Sequence, residues 1–230
     1  MLAATLRFAP RRASAWHRAV STLASNSHIK VFDNPSSPAS YILTYLDTQP
    51  PSPKLAIGTT TTIPLTPQSF RENHHFVEIL DQVVQEYGHL DEDVVSQAKA
   101  FASPGGFNLG SGGSFFPQHR PGRGSSRKQG GGGGAGGTGA GGASAQGGAG
   151  GGGRGGWVHL SDRRNPPDFG RIAWPEDILG SVEVDGSGNV VGKVQPSGTY
   201  RIVTNEGILG LSPFLRGKLV ARLKEEEESK

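Results

Sequence analysis

Between Gly130 and Gly156 the chain reads GGGGGAGGTGAGGASAQGGAGGGGRGG, 27 residues of which 18 are glycine. Glycine has no side chain to bury and loses the most backbone freedom on folding. A stretch of this composition adds nothing to a packed core. With its flanks it forms a disordered linker over 104–156 that splits the chain into two parts. A flexible coil of that length averages roughly 40 Å end to end. Ala102 and Trp157 can therefore lie almost anywhere on one small domain, and the fold must be built from 28–103 and 157–230.

The charge divides the same way. The net charge is +3. Residues 1–27 hold Arg7, Arg11, Arg12 and Arg18 and no acid, while 28–103 are net −5. Residues 104–156 are net +5 and 157–230 net −1. Without the leader the chain would be −1, so its basic character is no argument for nucleic acid. MLAATLRFAPRRASAWHRAVSTLASNSH is rich in Arg, Ala, Ser and Leu, and its first acid comes only at Asp33. This is the composition of a mitochondrial presequence. The expectation is a leader over 1–27, cut between Val20 and Ser27, with the protein in the matrix. Arg11, Arg12 and Arg18 interrupt any secretory apolar region. No apolar run approaches the ~20 residues that a bilayer span needs. The chain has no cysteine, which excludes disulfides, thiol catalysis and thiolate metal sites.

Within 28–103, HIKVFD is extended and YILTYL (41–46) reads as a strand. LAIGTTTTI (55–63) reads as its hairpin partner across a proline-rich loop. Thr66-Pro67 resembles a helix N-cap followed by proline at the first helical position, with Asn73 as the alternative cap. Phe76, Val77, Leu80, Val83, Val84 and Tyr87 recur at helical spacing up to Gly88. Asp91 opens a second helix that ends near Ala102, with Val94, Val95, Ala98 and Phe101 inward.

Within 157–230, WVHLS is a short strand and DRRNPPDFGRIAWP an extended arm, because residues before proline avoid the helical region. Residues 175–178 read as one helical turn. SVEVD and VVGKV flank an Asp185–Asn189 turn, and TYRIVT (199–204) reads as a third strand. Ser212 caps a last helix, with Leu211, Leu215, Leu219 and Leu223 along one face. Glu225–Glu228 lie at the unfavourable end of its dipole, so this end is expected to fray. Each part alone buries little. The expected fold class is α+β: one small antiparallel sheet with two or three helices, assembled from both parts. Two separate minidomains are the alternative.

Tests for chemistry return little. The glycine run has neither the lysine nor the following helix of a phosphate loop. Gly186–Lys193 has the wrong spacing for one and reads as a hairpin turn. Asp185, Ser187 and Asn189 open like a calcium loop, but Val190 and Pro196 occupy the positions of its glycine and glutamate. His74 and His75 are adjacent and point about 100° apart on a helix, a poor metal pair. No metal and no cofactor is expected.

The densest polar stretch runs from His159 to Arg171. His159, Asp162, Arg163, Arg164, Asp168 and Arg171 are the candidate partner-docking residues; mutual pairing within an ordered loop is the competing reading. Arg120, Arg123, Arg127 and Lys128 offer an RNA-binding alternative on the basic linker flank, although arginine–aromatic interleaving is nearly absent. A small enzyme with a site around His159, Asp162 and Arg171 is the third possibility, without a nucleophile-elbow motif behind it. The phrases SFFPQHR, HLSDRRNPPDFGRI, WPEDILGSVEVDG and SGTYRIVTNEGILGLSPFLRGKLVARL together resemble uncharacterised mitochondrial proteins of filamentous fungi. That resemblance implies no activity and no functional residues. The expected function is therefore a non-enzymatic matrix accessory or assembly protein acting through protein contacts.

Overall fold

A computed structural model of the protein describes residues 21–102, 155–167 and 171–229. These residues form an α+β fold with three α-helices and antiparallel sheets. The basic flank residues Arg120, Arg123, Arg127 and Lys128, and Asp168, lie outside the described residues.

The first part is a five-stranded meander: β1 (Ser21–Leu23), β2 (Asn26–Asp33), β3 (Tyr41–Thr44), β4 (Gly58–Thr60) and β5 (Phe70–Glu72) pair in chain order. Two helices follow, α1 (His74–Tyr87) and α2 (Glu92–Ala102), joined by a 3-10 turn at Gly88–Leu90. The second part has a three-stranded sheet of β6 (Gly156–Ser161), β7 (Ile178–Val184) and β8 (Val190–Pro196), with β7 in the middle. A two-residue hairpin of β9 (Val203–Thr204) and β10 (Gly207–Ile208) leads to α3 (Pro213–Glu228).

Both parts contribute to one buried apolar cluster. It runs from Leu23, Ile29 and Leu43 through Phe76, Leu80 and Val94 to Val182, Leu209, Leu215 and Leu219. Helix α1 is its centre, packing on α3 and on β7 and β8, while α2 packs on β6. Gly156, the last glycine of the opening run, belongs to β6 rather than to the linker, and a Cβ there would collide with the Phe101 ring.

Four local expectations change. Thr66-Pro67 does not start a helix. Thr66 and Ser69 close a turn on each other, Phe70–Glu72 form β5, and the helix begins after Asn73. Asn73 prevails because its amide works at both ends: Oδ1 accepts from His75 N–H at 3.2 Å, and Nδ2 donates to the carbonyls of Lys54 and Ala56 at 2.7 and 2.8 Å. The strand expected over 55–63 shrinks to Gly58–Thr60.

TYRIVT is not the third strand of the second sheet. Arg201 N–H donates to Glu176 O at 3.1 Å and Thr199 Oγ1 to Pro175 O at 2.8 Å, which draws 199–202 onto the 3-10 turn at Pro175–Asp177. Only Val203–Thr204 remain as strand. Finally, α3 continues through Glu228 despite its acidic end. Arg222 pairs with Glu226 at 3.0 Å, and Thr48 Oγ1 donates to Glu227 at 2.8 Å.

Residues 21–27, which composition places in the leader, lie in β1, its turn and the start of β2.

Candidate functional site

The polar stretch that follows β6 turns inward. As β6 ends, Asp162 N–H donates to Asp177 O at 2.7 Å, and Arg163 N–H to Gly210 O at 2.8 Å. These bonds fix the backbone between the 3-10 turn and the segment before α3. Arg164 then enters the interior with its side chain only 3% exposed. Its Nε donates to Asp177 Oδ1 at 2.7 Å, one terminal nitrogen to Ile202 O at 2.8 Å and the other to Glu176 O at 2.9 Å. The planar guanidinium suits this work, because its rigid fork holds three acceptors on two segments at once.

Asp162 completes the cluster. Its Oδ1 accepts from the N–H groups of Arg164 and Gly210 at 2.8 and 2.9 Å, and its Oδ2 from the Tyr200 hydroxyl at 2.7 Å. Oδ2 also lies 3.8 Å from the Arg164 guanidinium. Burial pushes the Asp162 carboxyl above the usual range, against the opposing pull of Arg164 and of the hydrogen bonds it accepts. Burial and the neighbouring Asp162 charge hold the Tyr200 hydroxyl far above its ordinary value. The guanidinium sits 5.4 Å from the Tyr200 ring centroid. Two carboxylates surround one cation, so each charge depends on the others and on backbone donors to stay buried.

The remaining candidates lie elsewhere. Arg163 stays partly exposed and bonds Asp93 at 2.8 Å and Glu92 at 3.1 Å, tying the arm to the first turn of α2. His159 sits on the opposite face of β6 from Val158 and Leu160, half-buried, with Nδ1 2.8 Å from Ser181 Oγ. Burial lowers its pKa. Arg171 is exposed. The structure thus brings Asp162 and Arg164 together and seats His159 and Arg171 apart from them. Asp185, whose position suggested a calcium loop, spends its carboxylate on Ser187 N–H, Asn189 N–H and the Asn189 amide. Among the described residues no three His, Asp or Glu side chains are placed to hold a metal ion. None of the described helices is long and apolar enough to cross a membrane.

An open groove of about 640 Å³ lies beside this cluster, lined by Glu72, Trp174, Pro175, Glu176, Thr199, Tyr200 and Arg201 among others. Two of its walls, the 3-10 turn and the 198–201 segment, are drawn together by Arg164 through Glu176, Asp177 and Ile202. Trp174 stands at the groove 69% exposed, and Ile172 nearby is 43% exposed. The position of Trp174 is set from behind: its carbonyl accepts from Asp177 N–H at 2.8 Å, and Asp177 is held by Arg164. No residue pattern in the sequence singles out Trp174, Glu72 or Tyr200 as lining a groove. The one local signal for the first is an aromatic before proline in a stretch otherwise built of loop residues.

Comparison of the chain with family models, with curated proteins and with solved structures finds no match.

Proposed function

We propose that this chain is a non-enzymatic accessory protein of the mitochondrial matrix that docks a segment of a partner protein in the groove beside Trp174. The observation that carries this reading is the exposed Trp174 indole, borne on backbone that a hydrogen-bonded turn holds. A large aromatic on fixed backbone has only two side-chain torsions to lose when a partner arrives, and tryptophan is enriched among the residues that dominate interface energies. Glu72 and Glu176 add two carboxylates to the lining and Arg201 adds one cation. The groove therefore favours a segment carrying lysine or arginine, with the cation on the indole face and the carboxylates beside it. Matrix placement rests on the acid-free, arginine-bearing leader.

The test compares wild type with Trp174→Ala, each purified from mitochondria through a C-terminal tag. An exposed side chain contributes little to folding, so the melting temperature stays within about 2 °C of wild type. Recovery of the stoichiometric partner falls about tenfold or more, as for a residue at the centre of an interface. Equal recovery with both proteins would overturn the assignment of the groove.

A further inference from the structure

We propose that the partner segment enters the groove as a β-strand, adding antiparallel to the free edge of β5. It carries lysine or arginine opposite Glu72 and an apolar residue two positions on, opposite Phe70. The inference rests on the groove reading and adds to it the backbone pairing and the register.

β5 is an outer strand. It pairs with β4, and among the described residues no strand pairs with its other side. The ladder decides which of its groups face outward. Asn73 N–H donates to Ile57 O at 3.1 Å and Thr61 N–H to Ser69 O at 3.2 Å. Bonded pairs alternate along an antiparallel ladder, so Arg71 directs its N–H and C=O at Thr59. Phe70 and Glu72 direct theirs away from β4. The Phe70 N–H is taken by Thr66 O at 3.1 Å. The Phe70 carbonyl and both backbone groups of Glu72 are left for an added strand. Glu72 lines the groove, so these groups stand where the groove meets the sheet.

The other outer strands are poorer templates. The pairings of β1, β6 and β8 each contain a register shift, and β8 also carries Gly192 at φ +80°, Lys193 and Pro196. Bulges, lysines and prolines of this kind blunt an edge. β5 pairs without a shift and holds neither lysine nor proline.

Side chains then set the sequence of the segment. Alternate residues of a strand share a face, so Phe70 and Glu72 point one way and Arg71 the other. In an antiparallel addition the residue opposite Glu72 comes two positions before the one opposite Phe70. The first stands beside the Glu72 carboxylate, in a groove whose lining holds two carboxylates against one cation, and this favours lysine or arginine. The second stands beside Phe70, which packs against the core, and this favours an apolar side chain. Backbone bonds supply the affinity and alternate side chains select the segment.

The probe is the blocked peptide acetyl-TTKTVTT-amide, added to the isotope-labelled full-length chain and followed by NMR. The expected result is a shift of both the Trp174 indole signal and the Glu72 amide signal. Methylating the lysine backbone nitrogen removes the donor to the Glu72 carbonyl, and affinity falls about tenfold or more. Methylating the threonine between lysine and valine alters an N–H that points away from β5, and affinity stays within about twofold. Glu72→Lys sets like charges opposite each other and weakens the unmethylated peptide about threefold or more. Equal effects of the two methyl groups would overturn strand addition, and a Glu72→Lys protein that binds as well as wild type would overturn the register. In both cases the Trp174 shift leaves the groove reading in place. An unmoved Trp174 indole signal at millimolar peptide would instead remove the groove reading beneath the inference.

Discussion

Replacing Arg164 by methionine is expected to lower the unfolding free energy by about 3–5 kcal/mol, the cost of leaving a buried charge without its partner. Asp177 loses its guanidinium contact, and the carbonyls of Glu176 and Ile202 lose their donors. Methionine fills most of the volume, so the loss reports charge and hydrogen bonding more than a cavity. Lysine preserves the charge but cannot reach three acceptors in one plane, so Arg164→Lys is expected to lose about half as much. Adding Asp177→Asn to Arg164→Met removes one stranded carboxylate and is expected to recover at least about 1 kcal/mol.

The deficit also has a sign in pH. The Asp162 carboxyl is raised by burial, and Arg164 is what pulls it down. Without Arg164 it rises further above its unfolded value. A carboxyl raised in the folded state favours folding through its protonated form, which exists in both states below the unfolded pKa of about 3.9. The Arg164→Met deficit is therefore full at neutral pH and shrinks as the pH falls towards 4. Denaturant midpoints from pH 4 to 7 measure it, and a variant as stable as wild type at pH 7 would show that the cluster does not hold the fold.

The second large effect is expected at Asp91 and Ser212, where the caps of two helices bond to each other. Asp91 Oδ1 accepts from Asp93 N–H at 3.0 Å at the start of α2, and Ser212 Oγ accepts from Leu215 N–H at 3.1 Å at the start of α3. The Ser212 hydroxyl donates to Asp91 Oδ2, and both residues are buried. The contact joins residues 121 positions apart. Asp91→Ala removes one cap and strands the serine hydroxyl. Ser212→Ala removes the other cap and strands a buried carboxylate. Each single change is expected to cost about 2–4 kcal/mol, adding a cap of about 1 to a buried hydrogen bond to a charged group. The double variant should cost about 1–3 kcal/mol less than the sum, because either change already breaks the shared bond. Urea unfolding of the four proteins measures the cycle. Additive losses would mean that the two caps act independently.

Much of the fold is legible locally. The periodicity of Phe76–Val84 and of Leu215–Leu223, the Ser212-Pro213 cap and the Asp185–Asn189 turn all depend on neighbours within a few residues. What fails is decided at a distance. Thr66-Pro67 and Asn73 are equally good caps on paper. The choice falls to Asn73 because Lys54 and Ala56 offer carbonyls to its amide. Thr199 and Arg201 look like strand until Pro175 and Glu176 claim their donors. The DRRNPPD stretch shows its polarity but not its direction. Arg163 meets acids at the surface, whereas Arg164, one residue on, meets them in the interior. No residue-type pattern separates the two. The groove is less legible still, since its walls come from β5, the 3-10 turn and 198–201.

The central claim is that the two parts flanking the glycine run form one unit, tied by the shared core, the Arg164 cluster and the Asp91–Ser212 contact. It is tested most directly by inserting a specific protease site between Gly130 and Gly153, cutting the folded protein, and following the product by gel filtration and calorimetry. The account predicts that residues up to the cut and residues beyond it co-elute as one species and melt in a single transition close to that of the uncut protein. Separation of the two pieces on the column, or two independent transitions, would contradict it.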